Sequence, residues 1–253
     1  MENTRKKLFV DLGHSERFQG AVGIKSEVEW NRSIYPHFLQ EIDQTYWEVI
    51  LVPDTFTADL SSLNLVRRIN WINARGNERD FVLSIHGNAV NRPEVRGVAT
   101  CYKAGSEFAK LEAIKLSKAY SEATGVPLWS NGEFADTRSH HGRLGMVRDT
   151  KPFALLIEAG FVTNVLDMSV NPVAAARGIA NYYNLYNPNY KKPMSEQVQP
   201  DSEMEEAVKF LKSKGIMKSS LGMENTVTRR EAALMLFRLA KYLESKMSSP
   251  NTV

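Results

Sequence analysis

The 253-residue sequence contains a single cysteine, Cys101. One cysteine excludes an intramolecular disulfide framework and any metal site built from several thiolates. Long apolar runs are also absent, and stretches such as residues 153–157 fall far short of the roughly 20 residues that cross a bilayer. The first seven residues lead into a short apolar stretch without the apolar core of a signal peptide. We therefore expect a protein without membrane insertion that first resides in a cytoplasm.

The chain has little excess charge. Its net charge is +3, and residues 1–190 hold 21 basic and 21 acidic side chains, so the excess lies in the last 63 residues. Domains that bind nucleic acid usually carry a strongly basic face, so we expect no nucleic-acid partner. With 43% hydrophobic and 24% charged residues, the composition is that of a globular protein.

Short apolar segments alternate with amphipathic ones. The segments that predict β-strands are residues 8–12, 49–52, 81–85, 98–102 and 154–157. Four of them are apolar at successive positions, which is typical of a sheet covered on both faces, whereas 98–102 alternates and suits a place nearer an edge. Helical patterns cover residues 27–45, with Pro36 at a kink or first turn, and 59–75, 108–123 and 172–186. This alternation predicts an α/β fold, a twisted and mostly parallel sheet flanked by helices (phosphorylase/hydrolase-like).

The composition changes after about residue 187. Residues 188–202 are polar and contain three prolines, as in a linker. Two amphipathic helices are then predicted over residues 205–214 and 229–243. We therefore expect a first domain over 1–187, a linker over 188–202 and a small C-terminal α-helical domain over 203–253 that docks or dimerises.

Two histidines and a glutamate follow predicted strands. His14 follows the first strand, His86 the third and Glu158 the last. Because the carboxyl ends of parallel strands meet at one edge of a sheet, where ligands bind, we expect these side chains to converge. Glu158 ends a buried apolar strand, where a carboxylate without a partner is costly, and is therefore a candidate for proton transfer.

Two imidazoles and one carboxylate would form a three-ligand zinc site that leaves a position for water. The residues alone leave the third ligand open among Glu16, Glu27 and Glu29. Glu27 and Glu29 would point about 200° apart on a helix, so only one of them can face the metal.

A polar segment, residues 130–142, is predicted to form a loop over the cleft. His140 or His141 in this segment could contact a substrate, although adjacent histidines seldom chelate one metal together. Trp129 precedes the segment and could line the groove.

Four blocks resemble, in order, the signature blocks of the zinc-dependent N-acetylmuramoyl-L-alanine amidases of the Amidase_3 type. They are Asp-Leu-Gly-His at 11–14, Ser-Glu-Val-Glu-Trp-Asn at 26–31, Ser-Ile-His-Gly-Asn-Ala at 84–89 and Leu-Ile-Glu-Ala-Gly-Phe-Val-Thr-Asn at 156–164. The resemblance covers roughly residues 6–186. It implies one zinc ion held by His14, Glu27 and His86, with Glu158 as the catalytic glutamate. The implied reaction is hydrolysis of the amide between N-acetylmuramic acid and L-alanine in peptidoglycan.

Two further residues are candidates for contact with this substrate. Asn88 is close to His86 and could bind substrate or orient a ligand. Arg148 precedes the last strand and could meet a carboxylate of the stem peptide. A structural hydrogen bond and a surface charge are the alternative roles.

The C-terminal segment is similar to half-repeats of the S-layer-homology type, over residues 206–217 and 227–239. This resemblance implies binding to the cell wall, and dimerisation through the helices is the alternative. Together with the expected cytoplasmic residence, it implies a phage or prophage endolysin of a Gram-positive host that waits in the cytoplasm until lysis. A bacterial autolysin is the near alternative.

Two other kinds of function stay open at this stage. One is a zinc peptidase or carboxypeptidase that acts on stem peptides, and the other is a non-catalytic protein that binds the wall. The products distinguish them, since only an amidase frees the amino group of L-alanine and leaves the glycan intact.

Overall fold

The computed structural model describes residues 5–53, 61–139 and 142–191. The sequence-based predictions for His140, His141 and the helical domain over 203–253 lie outside these residues. The strands are β1 (Lys6–Asp11), β2 (Trp47–Leu51), β3 (Phe81–Asn88), β4 (Val98–Tyr102), β5 (Leu128–Ala135) and β6 (Phe153–Phe161). The helices are α1 (Glu27–Glu41), α2 (Ser61–Asn73), α3 (Glu107–Thr124), α4 (Gly145–Arg148), α5 (Val165–Met168) and α6 (Pro172–Asn184).

The six strands form one sheet in the order β2-β1-β3-β6-β4-β5. All neighbouring pairs are parallel except β4 and β6, which are antiparallel. The carboxyl ends of β1, β3 and β6 therefore lie at one edge, here called the upper edge, together with the amino ends of β4 and β5. The expectation of a mostly parallel sheet flanked by helices is confirmed.

Helices cover both faces of the sheet. On one face α1, α3 and α6 enclose the larger part of the core, where Trp30, Ile34 and Phe38 recur at helical spacing and are fully buried. α2 and α4 cover the other face, where Ile69 and Ile72 pack with Phe9 of β1. The two layers hold α1 and α2 beside the upper edge from opposite faces of the sheet.

The prediction that residues 130–142 form a loop is wrong for its first half. Leu128–Ala135 is strand β5 at the edge of the sheet. It contains a bulge, since Leu128 pairs with Val98 of β4 but the next pair in register is Glu133 with Thr100. Ser130, Asn131 and Gly132 in the bulge have positive φ angles of 49°, 60° and 84°. Polar residues that tolerate such angles resemble a loop in sequence.

Two smaller expectations differ in detail. The segment 98–102 forms β4, which lies second from one edge of the sheet, between β6 and the edge strand β5, but all five of its residues are buried. The first helix ends at Glu41 rather than at residue 45, because Asp43 caps a turn by accepting hydrogen bonds from the backbone and side chain of Thr45. In the described part of the chain, no helix has the length and apolar character that crossing a membrane requires.

Candidate active site

Three predicted ligands meet at the upper edge of the sheet. Glu27 Oε2 lies 3.0 Å from Nε2 of His14 and 3.2 Å from Nδ1 of His86. One ligand atom from each of the three residues lies within 4.8 Å of the others. Two imidazole nitrogens and a carboxylate oxygen at this spacing are the donor set of a three-ligand zinc site.

The first turn of α1 holds Glu27 in this position. Ser26 caps the helix, and its hydroxyl accepts a hydrogen bond from the backbone N–H of Glu29 at 3.1 Å. Glu27 Oε1 accepts a hydrogen bond from the N–H of Ala21 at 2.8 Å, which leaves Oε2 to the two imidazoles. The other two acidic candidates are elsewhere: Glu29 is exposed, and Glu16 pairs with Arg32 at 2.7 Å.

The electrostatics of the cluster favour an ionised Glu27. Burial alone would raise the pKa of Glu27, but the hydrogen bonds from His14 and His86 outweigh it and hold this pKa well below its usual range. Burial disfavours the charged form of His86, yet the hydrogen bond to Glu27 raises the pKa of this imidazole overall. Glu27 is therefore ionised at neutral pH.

Glycines leave room around these three side chains. A Cβ atom on Gly20 would lie 2.6 Å from Cδ2 of His14 and 2.7 Å from Oε1 of Glu27. A Cβ atom on Gly13 would lie 2.6 Å from Nε2 of His86. Because only glycine fits at both positions, the backbone closes around the three donors, and the residues present fit a small divalent cation such as zinc.

Glu158 lies next to the cluster on the neighbouring strand. It pairs in register with His86 across β3 and β6, so both side chains leave the same face of the sheet. Its Oε2 atom is buried without a hydrogen-bond partner. Burial raises the pKa of Glu158 to about 7, against a smaller opposing effect of His86. A carboxyl group with this pKa can accept and release a proton near neutral pH.

A buried network beside His14 was missed by the sequence reasoning. Arg68 of α2 donates to Oδ1 of Asp11 at 2.5 Å and to the carbonyl oxygen of His14 at 3.1 Å. Asp11 also accepts a hydrogen bond from Ser84 at 2.7 Å, and these contacts lower its pKa although burial would raise it. Arg68 occupies a helix position whose sequence pattern does not distinguish a buried arginine from an exposed one.

The remaining candidates make structural contacts. Arg148 donates two hydrogen bonds of 2.6 Å to the fully buried Asp136. Asn88 is the last residue of β3, and its Oδ1 accepts a hydrogen bond from the N–H of Ala89 at 2.8 Å. Trp129 packs against Phe161 at the upper edge, with 5.5 Å between ring centroids. Their contacts with a substrate stay predictions.

The chain is similar to a known protein family. The Amidase_3 family model, described as N-acetylmuramoyl-L-alanine amidase, matches residues 8–171. No curated protein sequence shows a significant match to the chain.

Several solved structures have the same fold. One is the catalytic domain of CwlV, an N-acetylmuramoyl-L-alanine amidase from Bacillus (Paenibacillus) polymyxa var. colistinus. It is 25% identical to this chain with a TM-score of 0.57, and the match covers 73% of this chain and 99% of that one. An N-acetylmuramoyl-L-alanine amidase from Clostridium difficile 630 is 20% identical with a TM-score of 0.60, and the match covers 74% of this chain and 99% of that one. The catalytic domain of the CD27L endolysin, which targets Clostridia difficile, is 22% identical with a TM-score of 0.53, and the match covers 70% of this chain and 94% of that one.

Proposed function

The chain belongs to the Amidase_3 family of N-acetylmuramoyl-L-alanine amidases, and we propose that it hydrolyses the amide between N-acetylmuramic acid and L-alanine with a zinc ion held by His14, Glu27 and His86. The observation that carries the proposal is the convergence of these three donors beside Glu158, whose Oε2 is buried without a partner. A buried carboxylate oxygen without a partner is costly, and beside three candidate metal ligands it is free to accept a proton from the attacking water.

The chemistry divides between the metal and the chain. Zinc, when bound, supplies Lewis acidity toward a carbonyl oxygen and toward water. His14, Glu27 and His86 would hold the ion, and the hydrogen bond from the N–H of Ala21 keeps the Glu27 carboxylate turned toward the imidazoles. Glu158 accepts the proton of the attacking water on its carboxylate and returns it to the departing amine of L-alanine.

The biological setting that fits this activity is lysis of a Gram-positive host. One solved structure with the same fold is the catalytic domain of an endolysin, which supports a phage or prophage endolysin, with a bacterial autolysin as the near alternative. In this proposal the enzyme stays in the cytoplasm until lysis and then acts on peptidoglycan. The C-terminal segment, residues 203–253, binds the wall or forms a dimer.

Product analysis of digested peptidoglycan tests the reaction. We expect the full chain with zinc to release free amino groups of L-alanine while the glycan stays intact, because the amide is the bond that is cut. A chelator removes the ion from its three ligands, so product formation stops and returns when zinc is added. New α-carboxyl groups with free amino acids would indicate a peptidase instead. Absence of any product would indicate a protein that only binds the wall.

The substitution Glu158→Gln tests the proton transfer. Glutamine keeps the shape of the side chain but cannot take a proton, so we expect turnover to fall by roughly 10²–10⁴-fold while zinc still binds. Glu133→Gln is the matched control, because Glu133 also lies in the sheet with a buried, unpartnered Oε2 but on β5, away from the cluster. Near-normal turnover by Glu158→Gln would remove this residue from the mechanism.

A further inference from the structure

The loop that carries His14 has an unusual backbone. Gly13 and His14 are both left-handed, with φ angles of 55° and 45°. Residues other than glycine rarely adopt this region, so the conformation of His14 persists only where surrounding contacts hold it. Two carbonyl groups flank Gly13, those of Leu12 and His14, and both are held by buried side chains.

Arg68 holds the loop from the face of the sheet covered by α2. Its Nη2 donates to the carbonyl oxygen of His14 at 3.1 Å, while Nη1 donates to Asp11 at 2.5 Å and Nε to Asn64 at 3.3 Å. The planar guanidinium therefore ties three groups together at fixed angles. Arg68 and Asp11 are almost completely buried, which excludes water from the contact.

Asn31 holds the loop from the opposite face. It lies one turn after Glu27 on α1, is fully buried, and its Nδ2 donates to the carbonyl oxygen of Leu12 at 2.8 Å. Its Oδ1 has no hydrogen-bond partner. A buried amide whose oxygen has no hydrogen-bond partner adds little to the free energy of folding, so a purely structural role explains Asn31 poorly.

We propose that Arg68 and Asn31 are positioning residues that hold His14 in the orientation needed for zinc before the ion binds. The two side chains reach the loop from different helices and fix the carbonyl groups on both sides of Gly13. The left-handed His14 is thereby locked with its Nε2 toward Glu27, and the binding free energy of the metal is not spent on ordering the loop. This inference rests on the proposed zinc site.

Zinc affinity and the spectrum of bound Co²⁺ in the full chain test the inference. Arg68→Lys keeps a cation beside Asp11, but one ammonium cannot also reach His14 and Asn64 in the same geometry. Asn31→Leu preserves the size of the side chain and removes the donor to Leu12. The controls are Arg96→Lys, whose arginine pairs with the buried Asp167, and Asn184→Leu, whose fully buried asparagine donates to the carbonyl oxygen of Glu41.

We expect each test variant to raise the dissociation constant of zinc by about 10–100-fold and to change the visible bands of bound Co²⁺, which report ligand geometry. The controls should lose thermal stability without either change. If one test variant fails to fold, the other still decides. Folded variants with the affinity and Co²⁺ spectrum of the original chain would overturn the inference, whereas an original chain that binds no zinc would overturn the proposed function itself.

Discussion

Gly20 shows how closely the candidate ligands approach the backbone. It has a φ of 72°, and the position of a Cβ atom is already occupied by His14 and Glu27. Gly105 has a similar φ of 86°, but no atom lies within 4 Å of the corresponding position. Both positions thus require a residue that tolerates a positive φ, but only position 20 also requires the absence of a Cβ atom.

We predict that Gly20→Ala loses zinc affinity and hydrolysis, whereas Gly105→Ala keeps both. Each substitution places alanine in the left-handed region at a cost of roughly 1–2 kcal/mol, so both should lower the melting temperature. Only alanine at position 20 displaces the imidazole and the carboxylate. Zinc titration and thermal unfolding of both variants measure the two effects, and equal zinc affinity would contradict the steric argument.

At the residue scale, the candidate ligands and the candidate proton-transfer residue were more predictable from the sequence than the buried residues that hold the His14 loop in place. His14, His86 and Glu158 stand out because polar residues that follow apolar strands are few, and the resemblance selected Glu27 among three acidic residues. Arg68 carries no such signal, and Asn31 entered only as the last residue of the block at 26–31, without a role, since a buried arginine and a buried asparagine on amphipathic helices look like surface residues. The contacts that hold the loop are made to backbone carbonyl groups, those of His14 and Leu12, which leave no trace in a side-chain pattern.

At the scale of elements, the strands with consecutive apolar residues were predictable and β5 was not. β5 is an edge strand whose bulge combines three positive φ angles with polar side chains. Periodicity also placed His86 and Glu158 after their strands, whereas β3 extends to Asn88 and β6 to Phe161. Polar residues inside a strand end the apolar pattern before the hydrogen-bonded ladder itself ends.

The contact between α3 and α6 depends on Gly178. A Cβ atom there would lie 2.7 Å from Cα of Tyr120 and 3.0 Å from the carbonyl oxygen of Ala119. Because both neighbours are backbone atoms, Gly178→Ala must push the helices apart. Overpacking costs about 1–3 kcal/mol, which exceeds the gain in helix propensity of up to about 1 kcal/mol.

We therefore predict a lower free energy of unfolding for Gly178→Ala in denaturant titrations. Asn181→Ala, on the same helix at a partly exposed position, isolates the propensity effect and should be neutral or slightly stabilising. Zinc affinity should not change in either variant, since α6 contributes no side chain to the cluster. A Gly178→Ala protein as stable as the original would show that the helices can separate without loss.

At the scale of the whole molecule, composition and strand–helix alternation were sufficient for the fold class. They left the orientation of β4 undetermined, because an antiparallel neighbour carries the same apolar residues as a parallel one. The interpretation of residues 203–253 as a wall-binding or dimerising domain lies outside the described residues and stays a prediction.

Removal of residues 191–253 tests that interpretation. We expect the shortened chain to cleave soluble peptidoglycan fragments at a similar rate, because the candidate ligands and Glu158 all belong to residues 14–158. Its sedimentation with purified walls should fall sharply if the segment binds the wall. Light scattering before and after truncation shows whether a dimer is lost instead. Unchanged sedimentation together with unchanged mass would contradict both roles.

The position of β6 couples hydrolysis to completion of the fold. Within the described residues β6 is the last strand in sequence, but it lies in the middle of the sheet, where it joins β2-β1-β3 to β4-β5. It also carries Glu158, so during synthesis on the ribosome the carboxylate proposed for proton transfer emerges after both His14 and His86. A nascent chain that ends before β6 lacks both the strand that links β3 to β4 and the candidate acid–base group. We therefore expect no hydrolysis by unfinished chains in the cell that makes them.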